Sequence, residues 1–133
     1  MDREIKFRGK RVYTEDWVYG YYVKSTNDRA YIIRYATEDA INTNNEIDFL
    51  YHEVIPETVG QHIGRKDKNE KYIYKDDIIK RYNGEIGVVV FDEGCFILER
   101  VSEENCEYIQ HCSEYFSECE IIGNVWDNKE LLA

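Results

Sequence analysis

The residues best suited to chemistry are four cysteines, Cys95, Cys106, Cys112 and Cys119, and three histidines, His52, His62 and His111. Cys106, His111, Cys112 and Cys119 fall within one short stretch and offer soft ligands of the kind zinc takes in tetrahedral sets. Their spacing is irregular, and no C-x-x-C pair occurs. Structural zinc sites draw their ligands from closely paired positions, so no metal is expected here. Nucleophilic catalysis needs a thiolate or alkoxide with a base and an orienting group beside it. No serine or cysteine sits in an elbow motif, and acidic neighbours raise rather than lower the pKa of Cys112. The pairs Asp76-Asp77 and Glu103-Glu104 could hold a divalent cation or act as acid and base. As turn and helix-start residues they are explained more simply. No G-x-x-x-x-G-K-S/T or G-x-G-x-x-G run cradles a nucleotide. The chain is therefore expected to be no enzyme and to carry no cofactor.

Composition narrows the class further. The 133 residues are 43% hydrophobic and 33% charged, enough apolar mass for one domain with a real core. The longest apolar run, Ile86 to Phe91, is far short of the roughly 20 residues of a membrane helix. The opening Met1-Asp2-Arg3-Glu4 has no apolar signal-peptide core, so a cytoplasmic, reducing setting without disulfides is expected. The formal net charge is -10, and residues 92–133 carry eleven acids against Arg100 and Lys129. That balance argues against direct binding to nucleic acid or to anionic membranes. The Lys66-Asp67-Lys68 loop and the basic start Lys6, Arg8, Lys10 and Arg11 read as solvated surface.

Strand signals dominate the elements that must position these residues. Glu4 to Arg8 alternates charged and apolar side chains, and Trp17 to Val23 and Ala30 to Tyr35 are aromatic and β-branched, with a turn at Asn27-Asp28. Phe49 to Ile55 forms another extended run, ended by Pro56. Val59 to Arg65 and Lys71 to Tyr74 flank a hairpin loop. Ile78 to Tyr82 and Glu85 to Phe91 are joined by Asn83-Gly84, the pair that best tolerates a type I′ turn. Asp92-Glu93-Gly94 turns into Cys95 to Arg100, and Glu120 to Trp126 supplies a closing strand. Ser102 could cap one short helix, because Cys106, Ile109, Cys112 and Phe116 follow helical spacing. A weaker terminal turn covers Asn128 to Leu132. Short strands with local turns imply a small barrel or sandwich.

Twelve tyrosines and two tryptophans are many for this length. Tyrosine packs its ring while its hydroxyl reaches water, and it is enriched at contact surfaces. The strands Trp17–Val23 and Ala30–Tyr35 carry Trp17, Tyr19, Tyr21, Tyr22, Tyr31 and Tyr35 with no proline and one charge, Arg34. Such strands have little protection against pairing with another chain. These six residues are the candidate interface, and a homodimer or larger assembly through the N-terminal half is expected.

Three stretches together resemble the YopX family of phage and prophage proteins. Arg3-Glu4-Ile5-Lys6-Phe7-Arg8 matches the family's opening. Gln61-His62-Ile63-Gly64 through Lys66-Asp67-Lys68-Asn69-Glu70-Lys71 to Asp76-Asp77-Ile78 resembles its middle pattern, Q-x-T-G-L-K-D-K-N-G-K-x-I-Y-E-G-D-I. Glu120-Ile121-Ile122-Gly123-Asn124 through Asn128 to Leu132 is similar to its end. Glu70 and Asp76 stand where that pattern has glycines, and Lys129 where it has proline, which bears on turn geometry and not on the fold. The resemblance implies a mainly β protein: an N-terminal β region over residues 1–58, then a small SH3-like barrel over 59–133. It implies no catalytic residues.

The expected function is that of a phage or prophage accessory protein, acting without catalysis in the bacterial cytoplasm by binding a protein partner or itself. The alternative is an acidic mimic of nucleic acid that inhibits a host DNA-binding protein, carried by the charge of residues 92–133.

Overall fold

A computed structural model describes residues 6–34, 51–100, 108–109 and 116–132. The chain divides into two compact units, Met1–Gln61 and His62–Ala133. Both are built from antiparallel strands, so the chain is mainly β, as its alternating apolar pattern requires.

In the first unit, β1 (Phe7–Lys10), β2 (Trp17–Lys24), β3 (Ala30–Arg34) and β4 (Tyr51–Val54) follow one another as neighbours. The first residues of β5 (Gly60–Lys66) pair on the far side of β1, with Gly60 opposite Arg8 and Gln61 opposite Phe7. Val18, Ala30, Ile32 and Val54 form the core, with Phe7, Tyr22 and Val59 packed against it. The sheet curls. Arg11 bridges to Val54, the Val12 amide donates to the Glu53 carbonyl at 3.2 Å, and the Ile55 amide donates to that of Lys10 at 2.8 Å. Curling brings Val54 over Gly9, where a Cβ would lie 2.9 Å from a Val54 methyl. At Gly20 a Cβ would meet the Ile33 carbonyl oxygen at 2.0 Å, so β2 and β3 can approach only around a glycine.

In the second unit the rest of β5 pairs with β6 (Tyr72–Tyr74). A further sheet has the order β10 (Tyr108–Ile109), β9 (Cys95–Arg100), β8 (Ile86–Asp92), β7 (Asp77–Lys80), β11 (Glu120–Asn124). Ile73, Ile79, Val89, Leu98, Phe116 and Cys119 form its core, with Ile63 and Ile121 against it. No closed barrel forms among the described residues, which lie in antiparallel sheets. The helix expected within Ser102–Phe116 does not run through Tyr108 and Ile109, which form β10. Tyr108 and Ile109 pair with Glu99 and Leu98, because the open edge of β9 offers backbone partners that helical spacing does not reveal. The rest of that segment, except Phe116, lies outside the described residues. A 3-10 turn at Lys129–Leu132 occupies the expected terminal turn.

The turns carry one correction. Asn83-Gly84 does not form a type I′ turn, since only Gly84, at φ 88°, is left-handed. The Gly84 amide donates to the Arg81 carbonyl at 2.9 Å, and the Arg81 amide to that of Glu85 at 2.7 Å. This is the longer hairpin connection, a turn followed by one left-handed residue. The same pair of bonds recurs over Ser25–Arg29 and Asp67–Lys71, with Asp28 at φ 64° and Glu70 at φ 61° in the left-handed place. The type I′ geometry falls instead on Glu93-Gly94, both left-handed, between the paired residues Asp92 and Cys95.

Candidate functional site

Period-two alternation gives each strand of the first sheet two faces. The inner face holds the core. The outer face carries Trp17, Tyr19, Tyr21 and Val23 of β2. Register sets Tyr21 opposite Ile33 and Val23 opposite Tyr31, and on β4 it adds Tyr51 beside Ile33 and Glu53 beside Tyr31. With neighbouring strands about 4.8 Å apart, these side chains form one continuous surface across three strands. Tyr19, Tyr21, Val23 and Tyr51 are 46%, 55%, 43% and 64% exposed. The Tyr31 and Tyr51 rings meet edge to face at 5.9 Å.

Its border is polar. On β1 the Arg8 guanidinium lies 4.6 Å from the centre of the Trp17 ring and the Lys10 ammonium 5.8 Å, a cation–π stack at one margin. At the other margin a hydrogen bond to Tyr31, then the charge of Glu53, hold the Arg29 guanidinium above its ordinary pKa. Large apolar surface with a polar rim is the usual form of a protein contact site.

Of the six residues expected at an interface, Trp17, Tyr19, Tyr21 and Tyr31 share this face. Tyr22 points the other way, beside the core and 5.5 Å from the Phe7 ring, because it is one residue out of phase with Tyr21. Tyr35 lies outside the described residues. Tyr51, Val23 and Ile33 belong to the surface and were not singled out by composition. The alternation of β2 was sufficient to find Val23.

The other candidates for chemistry are occupied by structural work. The buried Asp67 carboxylate accepts from the Asn69 and Lys71 amides at 2.9 Å and, with its other oxygen, from the Ile121 amide at 3.1 Å. It holds the β5–β6 loop to β11. Asp77 accepts from the Tyr74 amide at 2.8 Å, and Asp76 from the Trp126 indole at 3.2 Å and from Lys75. Asn124 and Asn128 bind each other: the Asn128 side chain receives the Asn124 amide at 3.1 Å and the Asn128 amide donates to the Asn124 carbonyl at 2.9 Å, while the Asn124 side chain receives the Trp126 and Asp127 amides at 3.0 Å. Cys119 is buried, and burial pushes its thiol pKa up. Cys95 is exposed, while Cys106, His111, Cys112 and Glu103-Glu104 lie outside the described residues. Among the described residues no three His, Cys, Asp or Glu side chains gather as metal ligands, and no helix is long and apolar enough to cross a membrane.

Strands, curled sheet and outward aromatic surface define an all-β chain of two antiparallel sheets. The YopX protein family model matches residues 6–133, and the chain belongs to that family. Among solved structures, the crystal structure of protein EF1440 from Enterococcus faecalis aligns with a TM-score of 0.60 at 20% identity, covering 99% of this chain and 100% of that one. At that identity the likeness concerns the fold. No curated protein matches the chain.

Proposed function

We propose that this chain is a non-enzymatic protein-binding module whose contact surface is the outer face of the first sheet. The exposure of Tyr19, Tyr21, Val23 and Tyr51 side by side is the observation that supports it. Leaving that much aromatic surface in water forgoes stabilisation that burial against a partner recovers. Tyrosine and tryptophan, rigid and amphipathic, are residues on which binding energy concentrates. The family resemblance supplies the setting: an accessory protein of phage or prophage origin in a bacterial cytoplasm, its partner a host or phage protein or a second copy of itself.

The test replaces Tyr21 or Tyr51 by lysine, which leaves both cores intact. Light scattering at micromolar concentration reads self-association, and affinity capture from bacterial lysate reads other partners. The reading expects assembly or capture by the unmodified chain and its loss in both variants. Association that survives both substitutions overturns it.

A further inference from the structure

The opposite face of the same sheet gathers positive charge, and register shows how. His52 stands opposite Ile32 in the β3–β4 ladder, and Arg34 lies two residues further along β3 on that face. On the other flank Arg11 bridges to Val54, two residues along β4 from His52. Both arginines are therefore diagonal neighbours of His52. Such neighbours lie about 7–8 Å apart, within reach of long side chains.

Two of the three groups have unused hydrogen-bonding capacity. The His52 Nε2 atom is buried and has no hydrogen-bond partner among the described residues. The Arg34 guanidinium makes no ion pair among the described residues, in a protein of net charge -10 with acids to spare. Among the described residues Arg11 pairs with Asp16 alone, at 3.4 Å, and that carboxylate also accepts from the Thr14 hydroxyl. Burial and the fields of Arg11 and Arg34 push the His52 pKa down, and Asp16 pushes it up less strongly. The balance around this imidazole is positive.

We infer that Arg11, Arg34 and His52 form a binding site for one tetrahedral oxyanion, a phosphate group. Guanidinium forks are shaped for phosphate oxygens, and the Nε2–H tautomer of His52 supplies a donor from between them. A carboxylate is satisfied by a single fork, whereas donors from β3, β4 and the bridge residue after β1 suit a tetrahedral ion with oxygens in several directions. A bound phosphate would give the enclosed Nε2 its partner and compensate the two arginines. The site is independent of the aromatic surface on the other face.

The test titrates the full chain at pH 7 with inorganic phosphate, with a nucleoside 5′-monophosphate, and with chloride at matched ionic strength. The imidazole resonances of His52 and the unfolding temperature are followed. Phosphate should move both beyond the chloride control, and Arg34→Gln should weaken phosphate binding about tenfold, the scale of one charge-assisted contact. Lys24→Gln, an exposed cation elsewhere on the sheet, should leave binding unchanged. Tighter binding of the monophosphate identifies an esterified ligand, and equal binding the free ion. Identical responses to phosphate and chloride, or no loss in Arg34→Gln, overturn the proposal. The His52 resonances of the unmodified chain decide the matter even where a variant fails to fold.

Discussion

Replacing Glu70 by glycine should stabilise the protein, while the parallel change at Asp76 should destabilise it. Both residues are left-handed, at φ 61° and φ 74°, and both stand where the YopX pattern carries glycine. A side chain in that region costs roughly 1–2 kcal/mol through the clash of Cβ with the following carbonyl. Glycine returns about 0.5–1 kcal/mol of this through the greater entropy of its unfolded chain. At Glu70, which is exposed and whose backbone bonds are kept, the difference is a gain of about 0.5–1 kcal/mol. For a chain of this size that raises the unfolding temperature by about 2–4 °C. At Asp76 the same relief is set against a carboxylate that receives the Trp126 indole at 3.2 Å and Lys75 at 3.1 Å. A hydrogen bond to a charged acceptor is worth about 1.5–3 kcal/mol, so Asp76→Gly should lose about 1 kcal/mol overall. Thermal and urea unfolding of the two variants beside the unmodified chain reads both signs. Destabilisation by Glu70→Gly, or stabilisation by Asp76→Gly, would refute the reasoning about these turns.

Three further outcomes are expected. Asp67→Ala should cost about 3 kcal/mol, since it removes the acceptor of three backbone amides and unfastens the β5–β6 loop from β11; urea denaturation measures it. Because the folded-state pKa of His52 lies below its ordinary 6.5, the unfolded chain takes up that proton first. Its contribution is intact above pH 6.5 and is lost as pH falls from there towards the folded value; stability against pH, compared with His52→Gln in phosphate-free buffer, should show that slope reduced in the variant. Iodoacetamide at pH 8 should modify exposed Cys95 in the native protein and spare Cys119, whose burial keeps it a thiol, as peptide mass spectrometry would report.

Local signals carried the strands and the hairpin positions, because period-two alternation and turn residues act over a few neighbours. Turn type was less legible. Asn83-Gly84 favours a two-residue turn by composition, but the Arg81–Glu85 pairing adopts a longer connection in which glycine alone is left-handed. Glu93, an unfavourable residue there, takes the type I′ conformation because Asp92 and Cys95 pair directly. Residue type groups Tyr22 with its neighbours, although alternation assigns it inward. Tyr51 is illegible in the sequence for a different reason. Its place beside Ile33 depends on a non-local pairing across the long connection from β3 to β4, which no local pattern encodes. The proposed phosphate site was hidden likewise, since the β3–β4 pairing makes Arg34 a neighbour of His52 and only the curl of the sheet adds Arg11.

The proposal that the outer aromatic face is the contact surface is tested most directly by photocrosslinking from defined positions. A benzophenone side chain is placed at Tyr21, at Tyr51, or at Tyr82, an exposed tyrosine of the second unit. The full chain is then irradiated in bacterial cells and its adducts are resolved by mass. The account predicts a discrete adduct, with a second copy or another protein, from positions 21 and 51 and none from 82. Absence of adducts from 21 and 51, or the same adduct from 82, contradicts it.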